Sequence, residues 1–208
     1  MAEYSLYGFG ESGNSYKAAL MLNLCELDWA PVLVDYFNGE TRSAAFRADI
    51  NDMGEVPVLI HGAHKITQSG VILDYLATMT GKFGGKNAVE RREVLRWLLF
   101  DNHKFTSPIA TLRFMITLAK TGETPVTEFL RARVNGAMQI MDAHLARNAY
   151  LTGDRVTIAD LSAVGYLYFG DELPFEILPH VQAWMEKIRA LPHWKHPYDL
   201  LPRLKAGA

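Results

Sequence analysis

The chain has 208 residues and nearly balanced charge, with 21 basic and 23 acidic side chains and a net charge of −2. That balance argues against nucleic-acid binding, and because no run of eighteen apolar residues occurs, we expect no membrane span. The single cysteine, Cys25, excludes an internal disulfide and a Cys-x-x-Cys redox pair, so we expect a cytoplasmic protein.

The first 79 residues alternate strand and helix patterns and predict one α/β domain. Two strand patterns on either side of a helix indicate a parallel pair with a right-handed crossover. A hairpin follows and turns at Gly62 and Ala63, because glycine suits the first central position of a type II′ turn. Ser69 is expected to cap the next helix. The expected strands cover residues 4–9, 29–36, 56–60 and 64–67, and the expected helices cover 14–27 and 41–48 and begin again at 69.

A glycine-rich segment over residues 80–87 is the predicted linker, because three glycines in five positions interrupt the helical periodicity. Only helical patterns follow, so we expect residues 88–208 to form an all-helical domain. Thr157 and Asp160 have the spacing of a capping box at the start of the fourth of these helices. The expected helices cover residues 88–104, 108–120, 125–146, 158–169 and 179–190.

Three short motifs carry the candidate function: residues 12–17 (Ser-Gly-Asn-Ser-Tyr-Lys), 55–59 (Glu-Val-Pro-Val-Leu) and 68–70 (Gln-Ser-Gly). Ser12 stands just before a helix, where a hydroxyl and the positive end of the helix dipole can both stabilise a thiolate. The helix near Ser69 begins with N–H groups that lack partners and can bind a carboxylate. The set suits a small acidic thiol peptide. The alternative interpretation is that Ser12, Asn14 and Ser69 only cap helices.

The order of elements and these motifs resemble the glutathione S-transferase family over the whole chain, most of all its serine-type bacterial, zeta-like and nu-like members. The resemblance implies a thioredoxin-like N-terminal domain, a helical C-terminal domain, a homodimer, and glutathione as co-substrate without a metal. It identifies Ser12 as the catalytic serine, with Asn14 beside it. By this resemblance Ser12 donates a hydrogen bond to the glutathione thiolate and is not itself a nucleophile.

The resemblance also implies the glutathione contacts. A cis bond between Val56 and Pro57 would turn the backbone N–H and C=O of Val56 toward a peptide ligand. Gln68 and Ser69 would hold the γ-glutamyl carboxylate, and Arg42 would reach the glycyl carboxylate. Gln68 departs from the family, since many members have Glu or Asp there. That departure removes a negative charge that could face the ligand's α-amino group.

The second substrate is expected to be a small hydrophobic electrophile, and conjugation, isomerisation and dehalogenation all remain open. Its pocket has no local motif. The candidate lining residues, which could equally be ordinary helix residues, are Glu11, His103, Lys104, Ser107 and Arg113. The alternative function is that of a non-catalytic family member that uses the same fold for binding or regulation.

Overall fold

The structure is a computed structural model that describes residues 2–204 and groups the chain into two compact units. One unit combines the chain up to residue 82 with the segment from residue 192 onward, and the other spans residues 83–191. The first unit contains a β-sheet with helices, and the second is helical. The predicted α/β plus all-α architecture is therefore confirmed.

A four-stranded sheet forms the centre of the first unit, with strand order β2-β1-β3-β4. The strands are β1 (Tyr4–Gly8), β2 (Trp29–Leu33), β3 (Val58–His61) and β4 (His64–Thr67). The β1–β2 pair is parallel, as predicted, and β3 runs antiparallel to both β1 and β4. His61 pairs with His64, and Gly62 between them has φ +56°, which confirms the predicted two-residue hairpin turn.

The helices of this unit are α1 (Gly13–Leu24), α2 (Ala44–Asp49) and α3 (Ser69–Thr80), with a 3-10 turn at Glu40–Arg42 before α2. Helix α1 is buried almost all round, because the sheet and α3 cover it. It ends three residues earlier than predicted, where Glu26 adopts φ +59° and the chain turns into β2. Cys25 lies at this end and is buried, as predicted for a core residue, and burial raises the pKa of its thiol.

The helical unit contains α4 (Ala88–Phe100), α5 (Ser107–Arg113), α6 (Pro125–Leu145), α7 (Ile158–Ala163) and α8 (Pro179–Arg189). The predicted gap between 88–104 and 108–120 does not occur, because a π-helical turn at Asp101–Thr106 joins α4 to α5. A second π-helical turn, at Phe114–Leu118, extends the run beyond α5. The first of these turns precedes Pro108, which lacks an N–H to donate. The predicted helix at 158–169 is α-helical only to Ala163 and continues as a 3-10 segment, Val164–Glu172.

The buried carboxylate of Asp160 organises the start of α7. It accepts hydrogen bonds from the N–H of Thr157 (2.8 Å), the N–H of Leu151 (2.9 Å) and the indole Nε1 of Trp184 (2.9 Å). The Thr157 hydroxyl also donates to it. The reciprocal bonds from the N–H of each residue to the side chain of the other confirm the predicted capping box. Burial raises the pKa of Asp160, and these hydrogen bonds oppose the rise.

The C-terminal segment, which carries α9 (Pro197–Leu200), packs against α1. The Tyr16 hydroxyl donates to the Lys195 carbonyl (3.0 Å), and the Leu204 N–H donates to the Glu11 carboxylate (3.2 Å). The described part of this segment therefore groups with the α/β unit. The domain bounds of 1–79 and 88–208, with a linker at 80–87, stay a prediction.

Gly10 lets this segment approach the chain just before Ser12. A methyl group at Gly10 would lie 2.6 Å from the carbonyl oxygens of Leu201 and Pro202. We expect Gly10→Ala to lower the free energy of unfolding by about 1–3 kcal/mol in urea titrations. Gly136→Ala in α6 is the control: a methyl group there meets nothing within 4 Å, and we expect stabilisation of about 0.5–1 kcal/mol. A Gly10→Ala variant as stable as the wild type would contradict this packing.

Candidate active site

The first part of the site is the N-terminus of α1. Ser12 is the N-cap, and its Oγ accepts a hydrogen bond from the Ser15 N–H (3.1 Å). The side chain is 7% exposed, so it is largely shielded from water. Within residues 2–204 the Ser12 hydroxyl donates no hydrogen bond, so its proton is available to a ligand. Capping and ligand binding are therefore compatible at Ser12.

The second part is the N-terminus of α3, where the structure corrects the predicted cap. Gln68 is the N-cap and Ser69 is the first helical residue, so the expectation that Ser69 caps the helix was wrong. Gln68 adopts φ 67° and ψ 118°, a conformation that side-chain-bearing residues rarely adopt and that costs about 1–3 kcal/mol. Ser69 Oγ instead donates to Asn14 Oδ1 (3.2 Å), which ties the first turns of α1 and α3 together.

The third part is the loop before β3. The Val56–Pro57 bond is cis, as predicted. Neither the N–H nor the C=O of Val56 has a hydrogen-bond partner in the described part of the chain. The buried Asn51 side chain holds the loop by accepting from the Met53 N–H (3.1 Å) and donating to the Glu55 carbonyl (2.8 Å). The loop therefore holds the N–H and C=O of Val56 in place, and both groups are open to a ligand.

A side-chain contact joins this loop to α3. Gln68 Nε2 donates to Glu55 Oε2 at 3.0 Å. Together with the bond between Ser69 and Asn14, it links three segments that are distant in sequence: the starts of α1 and α3 and the loop before β3. Two helix N-termini in one site favour anionic groups, such as a thiolate or a carboxylate.

The chain resembles known proteins over both units. Family models described as the glutathione S-transferase N-terminal and C-terminal domains match residues 2–78 and 104–192. A solved glutathione S-transferase from Pseudomonas fluorescens Pf-5 is 33% identical, with a TM-score of 0.87 over 94% of this chain and 99% of that one. The chain belongs to the glutathione S-transferase family.

Other relatives come from plants and bacteria. Glutathione S-transferase 3 of Zea mays is 29% identical over 97% of this chain and 96% of its own length. A theta-class transferase from Xanthomonas axonopodis pv. citri, solved with glutathione bound, is 24% identical and has a TM-score of 0.85 over 98% of this chain and 99% of its own. The family resemblance and the prediction of a glutathione transferase enzyme are confirmed.

Two predicted residues of this transferase lie outside the linked cluster. Arg42 is exposed in the 3-10 turn, and its guanidinium lies over Gly39. Glu11 is buried, and its carboxylate accepts from the Leu204 N–H. The position of Glu11 fits a role in holding the C-terminal segment beside the Ser12 loop. The glycyl-carboxylate role of Arg42 and the pocket role of Glu11 both stay predictions.

The remaining candidates for the electrophile pocket belong to the helical unit. His103, Lys104 and Ser107 are exposed around the first π-helical turn. Arg113 is 1% exposed, pairs with Glu172 and lies 3.7 Å from the ring centre of Phe169. Its guanidinium therefore takes part in the packing of the helical unit. The pocket role of these four residues stays a prediction.

Sequence reasoning missed Glu55 and Asn51 as parts of the site. The sequence signal for Glu55 was an acidic residue directly before Val56, in a chain that has the uncharged Gln68 where many family members have Glu or Asp.

Among residues 2–204 no group of three or more His, Cys, Asp or Glu side chains could hold a metal ion. Over that same range, every helix is too short or too polar to cross a membrane.

Proposed function

We propose that this protein is a glutathione S-transferase in which Ser12 activates the glutathione thiol for attack on a small hydrophobic electrophile. The observation that carries the proposal is the Ser12 hydroxyl itself. It is shielded from water at the N-terminus of α1, accepts from the Ser15 N–H and keeps its own proton for a ligand.

The chemistry requires a thiolate, because a neutral thiol is a poor nucleophile. A free thiol has a pKa of about 8.5, so only a few per cent is ionised at neutral pH. Each unit by which the site lowers that pKa corresponds to about 1.4 kcal/mol of selective stabilisation of the thiolate. A hydroxyl donor and the positive end of α1 each supply part of this free energy.

The other parts of the site suit the rest of the tripeptide. The first N–H groups of α3, among them that of Ser69, would bind the γ-glutamyl carboxylate. Asn14 would hold the first turn of α3 in place through the 3.2 Å hydrogen bond that its Oδ1 accepts from Ser69 Oγ. The free N–H and C=O of Val56 would pair with the ligand backbone as a neighbouring strand does, with Pro57 fixing the loop. Arg42 would hold the glycyl carboxylate.

A homodimer and a cytoplasmic location belong to the same proposal, and both rest on the family resemblance. Calorimetry with glutathione at neutral pH, followed by ultraviolet titration of the bound thiol, tests the central claim. We expect binding, with a pKa of the bound thiol at least about one unit below that of the free thiol. Binding without a lowered thiol pKa would favour the non-catalytic alternative. No binding would reject the glutathione site.

A further inference from the structure

Glu55 and Gln68 form an exposed pair beside the start of α3. Both hydrogen atoms of the Gln68 amide have acceptors, since Nε2 donates to Glu55 Oε2 at 3.0 Å and to Met53 Sδ at 3.4 Å. Gln68 Oε1 has no hydrogen-bond partner within residues 2–204. The pair therefore presents a carboxylate and an amide oxygen, both of them acceptors.

No described basic side chain neutralises the carboxylate of Glu55. Within residues 2–204 no Lys, Arg or His side chain forms an ion pair with it. The guanidinium of Arg47 lies beside Gly54, but its Nη1 donates to the Asp52 carbonyl (3.1 Å). The negative charge of Glu55 is thus available to a cation on a ligand.

The γ-glutamyl end of glutathione supplies such a cation. Its α-carboxylate and α-ammonium sit on one carbon atom, so a ligand whose carboxylate lies at the first turn of α3 must place its ammonium within a few ångströms of it. Gln68 immediately precedes that turn. We propose that Glu55, steered by the Gln68 amide, binds the α-ammonium and supplies the charge that Gln68 itself lacks. This inference rests on the proposed glutathione site.

The test compares glutathione with its desamino analogue, glutaryl-cysteinyl-glycine, which lacks only the α-ammonium. We expect Glu55→Gln to weaken glutathione binding about three- to fivefold and to leave binding of the analogue unchanged. The loss should shrink as salt is added, because the pair is exposed. Asp52→Asn removes the same charge from an exposed site three residues away and should change neither affinity appreciably.

A double variant, Glu55→Gln with Gln68→Glu, moves the carboxylate to the other member of the pair. We expect it to recover glutathione affinity to within about twofold of the wild type, because the proposal invokes the charge at this position. Three results would overturn the proposal: equal glutathione binding by Glu55→Gln and the wild type, an equal loss for the analogue, or a double variant as weak as Glu55→Gln. If the wild type binds neither ligand, the glutathione site itself is rejected, which is a distinct outcome.

Discussion

Ser12→Ala is expected to lower kcat at neutral pH by about 8- to 25-fold while the Kd for glutathione changes by less than about threefold. In the proposed mechanism the hydroxyl contacts only the sulfur, whereas Ser69, Val56 and the start of α3 hold the rest of the peptide. If the hydroxyl lowers the thiol pKa from about 8.5 by one to two units, its loss reduces the thiolate fraction at pH 7 by about 8- to 25-fold. Steady-state kinetics with a model electrophile and calorimetry measure the two quantities.

The cap function of Ser12 has to be separated from its chemistry. Ser12→Ala also removes the acceptor for the Ser15 N–H, so we expect a loss of about 1 kcal/mol in stability. Ser12→Asp keeps the cap but has no proton to donate at neutral pH and repels a thiolate, so it should be stable and inactive. The matched control is Ser15→Ala, because the Ser15 hydroxyl is buried and has no hydrogen-bond partner among residues 2–204. Full activity in Ser12→Ala, or loss of activity only in Ser15→Ala, would refute the role given to Ser12.

Much of the fold could be predicted because its signals are local. The hairpin follows from a glycine at the right turn position, and the start of α7 follows from the spacing of Thr157 and Asp160. The ends of elements depend on tertiary contacts, which local patterns do not contain. The continuous run from α4 to α5 is an example, because one π-helical turn joins the two helices just before Pro108, which lies in the first turn of α5.

In the site, too, the local motifs could be predicted, but the contacts between distant segments could not. The motifs at Ser12, Val56 and Ser69 were visible in the sequence. The contacts that join them are not, because Ser69 and Asn14 are 55 residues apart and their pairing depends on how α1 and α3 pack. The cap of α3 was misplaced because Gln68 takes a positive φ, which the usual preference for serine at the N-cap does not anticipate.

The largest loss of stability is expected from Asp160→Ala, at about 4 kcal/mol in urea titrations. The substitution leaves the N–H groups of Leu151 and Thr157 and the Trp184 indole N–H buried without their acceptor, and each such group costs about 1–3 kcal/mol. Asp160→Asn should lose less, because its amide oxygen can still accept from the Leu151 N–H and the Trp184 indole, although its NH2 group would then face the Thr157 N–H. Asp154→Ala, at an exposed carboxylate in the same loop, should change stability by less than about 0.5 kcal/mol.

The stability that Asp160 contributes is expected to depend on pH. Burial raises the pKa of Asp160. In the folded protein the Asp160 carboxyl therefore keeps its proton at pH values at which the same group in the unfolded chain, with an ordinary pKa of 3.8, has lost it. The stabilisation from Asp160 is therefore complete below pH 3.8 and decreases as the pH rises through the folded pKa. The difference in unfolding free energy between the wild type and Asp160→Ala should narrow across that window. A difference that widens as the pH rises would mean that the four hydrogen bonds outweigh burial and that the carboxylate is held ionised.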